Sequence, residues 1–197
     1  MKKKSKRKKG FVLVSVFDKR GITKFVKKLK TLGYYEIIST EGTGKELAKN
    51  GVSFIPTREI SQNLNKLKDC IKTISFQIEA GILFDRSDKK QVEEARDLSV
   101  KPIDIVICNF PSVKAIIEKP ENFNIKNIDV GGPLMVRAAA TNFRHVLVVV
   151  DPDDYDNVIG NLSKKAIPYE FRKYLAIKAF NHTLLYDQQI IQYLRKL

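Results

Sequence analysis

From Phe11 onward the chain alternates short apolar runs with amphipathic stretches, the pattern of a parallel sheet carrying helices on its faces. The fold class this predicts is α/β. Phe11–Val16 reads as a buried strand, and Ile22–Leu32 places Ile22, Phe25, Val26, Leu29 and Leu32 on one helical face that Gly33 terminates. Tyr35–Ser39 predicts a second strand. Gly44–Lys49 predicts a short helix closed by Asn50-Gly51, and Val52–Ile55 a third, short strand. Gly81–Phe84 and Ile103–Cys108 continue the series of apolar runs on either side of a charged helix over Lys89–Leu98. His145–Val150 supplies another strand and runs into Asp151-Pro152-Asp153-Asp154. Pro168–Leu197 carries a long helical pattern, one or two packing helices, with Tyr186 and Tyr193 a heptad apart.

Composition narrows the class. At 197 residues and 43% hydrophobic the chain can bury a core, yet no apolar run approaches the roughly 20 residues that cross a bilayer. The run behind the basic start stops at Asp18-Lys19, too soon for a secretory h-region, so a cytoplasmic location is expected. Two cysteines, Cys70 and Cys108, and two distant histidines, His145 and His182, make neither a disulfide framework nor a zinc site. Neither a metal nor a cofactor is expected. Net charge is +14, but seven basic groups crowd into Met1–Gly10, and the remainder carries +7. That arm is too charged to fold alone. It reads as a disordered segment, either a solubilising tail or a weak, sequence-indifferent tether to nucleic acid.

In open α/β sheets the loops after strand ends carry the chemistry, because helix N-termini there expose unpaired N–H groups that hold anions. Three segments qualify: Ser15–Gly21 after the first strand, Ser39–Gly44 after the second, and Asp129-Val130-Gly131-Gly132-Pro133 ahead of the helical Leu134–Ala140. Each alone is a common turn. Together they point to a phosphorylated ligand, although no glycine-rich loop ends in the Gly-Lys-Ser/Thr of a P-loop.

SVFDKRG (15–21), STEGTGKEL (39–47), IKT (71–73), ICNFP (107–111), IDVGGPLMVRAAATN (128–142) and FRKYLAIKAFNHTLLYDQQIIQYLRK (171–196) stand in collinear order. This set resembles the IMP cyclohydrolase domain of bifunctional AICAR transformylase/IMP cyclohydrolase, from about Phe11 to Leu197. The resemblance implies a methylglyoxal-synthase-like domain over 11–160, a parallel sheet flanked by helices, followed by a C-terminal helical extension over 161–197. It also implies the last step of de novo purine synthesis, closure of the formamido ribotide FAICAR to IMP with loss of water, on a chain without the transformylase domain that normally follows. The family's ligand contacts fall on Lys19, Thr40, Gly42, Thr43, Lys72, Thr73, Cys108, Asn109, Asp129, Gly131 and Gly132. Of these, Lys72 and Asp129 carry the catalytic assignment. Lysines and backbone N–H groups offset phosphate charge, while Asn and Asp can fix a carboxamide edge. Read without the resemblance, Cys108 is a small core residue and Lys72 a solvated lysine.

The departures fall on the proton-transfer groups. Phe17 replaces the second serine of the family's SVSDKTG, and Cys70 replaces the arginine two residues before KT. KTLHP becomes Lys72-Thr73-Ile74-Ser75-Phe76, without its histidine; NLYPF shortens to Asn109-Phe110-Pro111-Ser112, without its tyrosine. The lysine of AAAKNH, which the family uses in proton transfer, is Thr141. Losing one acid/base group costs about 10² to 10⁴ in rate. Two readings follow: a slow, standalone IMP cyclohydrolase fed by a separate formylating enzyme, or a catalytically silent protein that binds FAICAR, IMP or AICAR. The family's subunit pairing, with an apolar stripe of Leu175, Ala179, Leu185, Ile190 and Leu194, implies a homodimer.

Overall fold

The computed structural model describes residues 10–33, 35–61, 71–111, 128–164 and 166–195. Its centre is the apolar segment Gly10–Val16 (β1), in which Val12, Leu13 and Val14 are wholly buried because helices cover both faces. Ile22–Thr31 (α1) follows, with Ile22, Phe25, Val26 and Leu29 buried at helical spacing. Phe25 stacks on Tyr155 with ring centroids 4.2 Å apart. Each such burial contributes about 1.5–3 kcal/mol. Glycines mark both ends: Gly21 caps the start at φ 67°, and Gly33 follows the end at φ 78°, where an L side chain would be strained.

The chain then forms Tyr35–Ser39 (β2), Glu41–Lys49 (α2), Ile55–Pro56 (β3), Thr57–Ser61 (α3), Phe76–Leu83 (α4), Lys89–Asp97 (α5) and Ile103–Asn109 (β4). Next in the described chain come Gly131–Thr141 (α6), Leu147–Val149 (β5), a short 3₁₀ turn at Pro152–Asp154, Tyr155–Leu162 (α7) and Tyr169–Leu194 (α8). The five described strands make one all-parallel sheet in the order β3-β2-β1-β4-β5. β1 therefore pairs β2 on one side (Val14 opposite Ser39) and β4 on the other (Val16 opposite Asn109).

Several expectations shift. Gly81–Phe84 belongs to helix α4 and its C-cap: Ser75 caps that helix by accepting from the Ile78 N–H at 3.2 Å, and Arg86 behind it donates to the carbonyls of Gly81, Ile103 and His145. The second helix starts at Glu41 rather than Gly44, and the third strand lies at Ile55–Pro56 rather than Val52–Ile55. The C-terminal pattern is one 26-residue helix. It packs on α6 and β5 and contributes Leu175, Ala176, Ala179, Tyr186 and Tyr193 to the same core as the sheet. The expected apolar stripe is thereby split. Leu175 and Ala179 face the core, Ile190 is half-buried against it, and Leu185 and Leu194 are exposed; Ile177, Phe180, Leu184 and Ile191 form the outward apolar face.

Among the described residues no helix is long and apolar enough to cross a membrane. The basic arm Lys2–Lys9, together with Cys70 and Ser112, lies outside the described residues.

Candidate functional site

The strand order reverses between β1 and β4: the connections after these neighbours leave in opposite directions and open a crevice outside their C-terminal ends. All three loops singled out by sequence lie at this edge or at the helix N-termini beside it.

On the β1 side, Asn109 at the end of β4 is buried and fully engaged. Its Oδ1 accepts from the Phe17 and Asp18 N–H groups, both at 2.8 Å, and its Nδ2 donates to the Asp18 carbonyl at 3.4 Å. The residue therefore shapes the β1–α1 turn. Thr43 is likewise buried: its hydroxyl accepts from the Val16 N–H at 3.0 Å and donates to the Val16 carbonyl at 3.2 Å, pinning α2 to the end of β1. Thr40 is the N-cap of α2 but does not cap it through its side chain, since its hydroxyl goes to Ser15 Oγ at 3.2 Å. First-turn N–H groups are thus left for an anion, beside an exposed Gly42 at which a side chain would meet open space. Gly44 in the next turn packs against the ring of Phe54 so closely that a Cβ would collide with it. Lys19 is exposed, its Nζ 3.5 Å from the Phe17 carbonyl. Asp18 is held below the usual carboxylate range by the Arg20 backbone N–H and guanidinium, which outweigh its partial burial.

On the β4 side, Lys72 is exposed and Thr73 buried. The Thr73 hydroxyl lies where a side chain at Gly131 would stand, and the Asp129 carboxylate lies where one at Gly132 would. The glycine pair is required for this close approach, which joins the Lys72-Thr73 segment to the start of α6 across 58 residues of chain. Asp129 Oδ1 accepts from the Gly132 N–H at 3.0 Å. Cys108 is buried with Sγ 3.8 Å from the Gly132 carbonyl; burial, reinforced by the Asp129 charge, pushes its thiol far above the usual range. It stays protonated and acts as a core residue rather than a nucleophile. Thr141 is exposed at the last position of α6, about 15 Å along the helix axis from Gly131. The structure therefore brings Thr73, Cys108, Asp129, Gly131 and Gly132 together, and leaves Thr141 at the other end of the helix.

Sequence reasoning missed the groups that α8 contributes. Phe110 rests between Gly132 and two α8 rings, His182 at 4.3 Å and Tyr186 at 4.6 Å between centroids. The Asp129 N–H donates to the Tyr186 hydroxyl at 2.8 Å. Burial lowers the His182 pKa, so the ring is neutral at pH 7. Farther along the edge, Lys178 Nζ bridges Asp151 and Asp154, each at 2.7 Å; burial opposes its charge, and the two carboxylates more than restore it. The sequence carried two traces of this, the heptad spacing of Tyr186 and the family-like stretch over 171–196, and neither showed which of its side chains face the site. Among the described residues no group of three His, Cys, Asp or Glu could hold a metal ion.

Comparison with known proteins bears on the whole of this arrangement. A family profile for the MGS-like domain matches residues 21–134, and one for the AICARFT/IMPCHase bienzyme matches 139–197. The Bifunctional purine biosynthesis protein PurH of Caldicellulosiruptor bescii is 41% identical over 187 residues, covering 93% of this chain and 36% of the relative. That of Aquifex aeolicus is 42% identical, covering 94% and 37%. The chain thus spans little more than a third of the length of the curated relatives it matches. The solved structure of ForH superposes with a TM-score of 0.80 at 31% identity, covering 93% of this chain and 97% of ForH. With the sheet order and these matches in agreement, the chain belongs to the MGS-like domain family, in its IMP cyclohydrolase-like branch.

Proposed function

We propose that this domain works in purine biosynthesis by binding a purine ribotide, FAICAR or its product IMP, in the crevice between β1 and β4. The observation that carries the reading is the joining of Lys72-Thr73 to Asp129-Val130-Gly131-Gly132 through Thr73 against Gly131. It joins the exposed Lys72 segment and the Asp129 carboxylate at one edge of the sheet, while the uncapped first turn of α2 takes the ribotide phosphate and the exposed Lys19, on the loop after β1, adds positive charge. Ring closure forms a bond from the carboxamide nitrogen to the formyl carbon. A proton moves from that nitrogen to the developing alkoxide, and water then leaves to give the pyrimidine ring. Lys72 stabilises the oxyanion, and Asp129 orients the carboxamide N–H. Holding the two groups in attack geometry is worth up to roughly 7–11 kcal/mol, so closure proceeds on positioning even where the family's proton-transfer lysine is Thr141.

A second reading, a silent ribotide-binding protein, is favoured by one observation: Thr141 has no ionisable group and stands at the far end of α6. Two measurements separate the readings. Calorimetry with IMP should show binding, and absence of binding of IMP, FAICAR and AICAR at millimolar ligand removes both. Absorbance-monitored conversion of FAICAR should exceed the spontaneous rate; a rate equal to it leaves the binder.

A further inference from the structure

We propose that Tyr186, in the middle of the C-terminal helix, is a positioning residue for the candidate site, holding the Asp129–Gly132 turn in place through its hydroxyl and through Phe110. The inference rests on the ribotide-binding reading only for its functional consequence; the geometry stands by itself.

Asp129 has two attachments that fix its carboxylate. Its own side chain caps the Gly132 N–H from one end, and the Tyr186 hydroxyl accepts the Asp129 N–H at 2.8 Å from the other. Residues 112–127 are not described, so on the described side the backbone at Asp129 is anchored across 57 residues of sequence to α8. The Tyr186 ring is itself immobilised. It is buried in the core and leans on Phe110, whose opposite contacts are the His182 ring one helical turn earlier and the Gly132 backbone. His182 Nε2 is buried without a hydrogen-bond partner among the described residues, and the neutral ring serves here as an aromatic wall. Two rings and one hydroxyl from α8, with the Phe110 ring between them and Gly132, therefore set where the Asp129 carboxylate stands. A hydroxyl rather than a carboxylate suits the acceptor role: an acid at this position would add a second negative charge beside Asp129.

Tyr186→Phe removes the hydroxyl and keeps the ring. Tyr193→Phe, two turns on in the same helix and buried in the same core, is the control for general stability. Amide hydrogen exchange read on the peptide spanning residues 128–132, without ligand, is expected to quicken about tenfold at Asp129 in Tyr186→Phe and to stay unchanged in Tyr193→Phe. IMP affinity is expected to fall about tenfold in Tyr186→Phe alone, the loss of one hydrogen bond's positioning. Phe110→Leu, which removes the wedge but no hydrogen-bonding atom, should quicken the same amide. Equal exchange in wild type and Tyr186→Phe, or equal acceleration in both tyrosine variants, overturns the proposal, as does unchanged IMP affinity in a Tyr186→Phe protein whose parent binds IMP. If the parent binds no IMP, the ribotide reading falls, and the exchange comparison alone decides the positioning.

Discussion

Glu79 offers a direct test of the packing between α4 and α6. These helices lie side by side, tied at one end where Thr73 meets Gly131 and at the other where the Asn142 amide donates to the Ile82 and Phe84 carbonyls. Glu79 sits midway along α4 with both carboxylate oxygens buried and without hydrogen-bond partners among the described residues. Burial alone pushes its carboxyl up from 4.5 to about 7. A raised carboxyl destabilises the fold once it ionises. Below pH 4.5 the group is protonated in both states and costs nothing. Between 4.5 and about 7 the unfolded chain has released a proton that the folded one still holds, so stability falls as pH rises, and above 7 the full penalty applies. At about 1.4 kcal/mol per pKa unit the shift corresponds to about 3 kcal/mol, and solvent screening of a partly exposed residue brings this to about 2. Glu79→Gln keeps the shape and removes the titration. Urea denaturation of both proteins at pH 5 and pH 8 should show the variant gaining about 2 kcal/mol relative to wild type across that interval. The variant's own unsatisfied amide shifts both readings equally and drops out. A wild-type-minus-variant difference that is the same at both pH values would refute the argument, since Glu79 would then have to be solvated or paired.

Arg86→Met should cost at least about 3 kcal/mol by urea denaturation: it strips donors from three backbone carbonyls and leaves Asp104, 3.6 Å from the guanidinium, in a half-buried position that already raises its pKa. A loss below about 1 kcal/mol would mean that water replaces the guanidinium at those carbonyls. The outward face of α8, with Ile177, Leu184 and Ile191 each about half exposed, should bring two copies together in solution. Light scattering should give twice 22.5 kDa at micromolar concentration, and Leu184→Glu should return the monomer mass. A wild-type particle of 22.5 kDa counts against it.

Elements whose periodicity is long were legible in the sequence, and so were the loops that the fold gathers at one edge of the sheet. β1, α1 and β4 announce themselves by continuous or 3.6-periodic apolar residues, and the spacing needs no tertiary information. Gly81–Phe84 does not: four apolar residues fit a strand or a helix equally, and the capping by Ser75 together with the Arg86 tie behind the run decides for helix. The same limit applies within the site. Thr43 and Asn109 have the residue types of ligand contacts, but only the folded chain reveals that their polar atoms are engaged by Val16, Phe17 and Asp18. Glycine at 131 and 132 could be read as a turn, whereas the partner that makes it obligatory, Thr73, comes from a distant segment. Tyr186 looked like a packing residue because half of it is one: its ring belongs to the core, and its hydroxyl reaches across to Asp129.

The two outermost strands bear on how copies of the molecule can meet. β3 is two residues long and ends in Pro56, which has no N–H to offer a neighbour, and β5 is three residues long with α8 packed against it. A sheet whose rims are this short presents almost no ladder for a foreign strand to extend, while its long, template-competent strands β1 and β4 are sealed between neighbours on both sides. Among the described strands, strand-to-strand growth has little to extend at either rim. Copies that meet must then do so through helix surfaces, of which the outward face of α8 is the most apolar described.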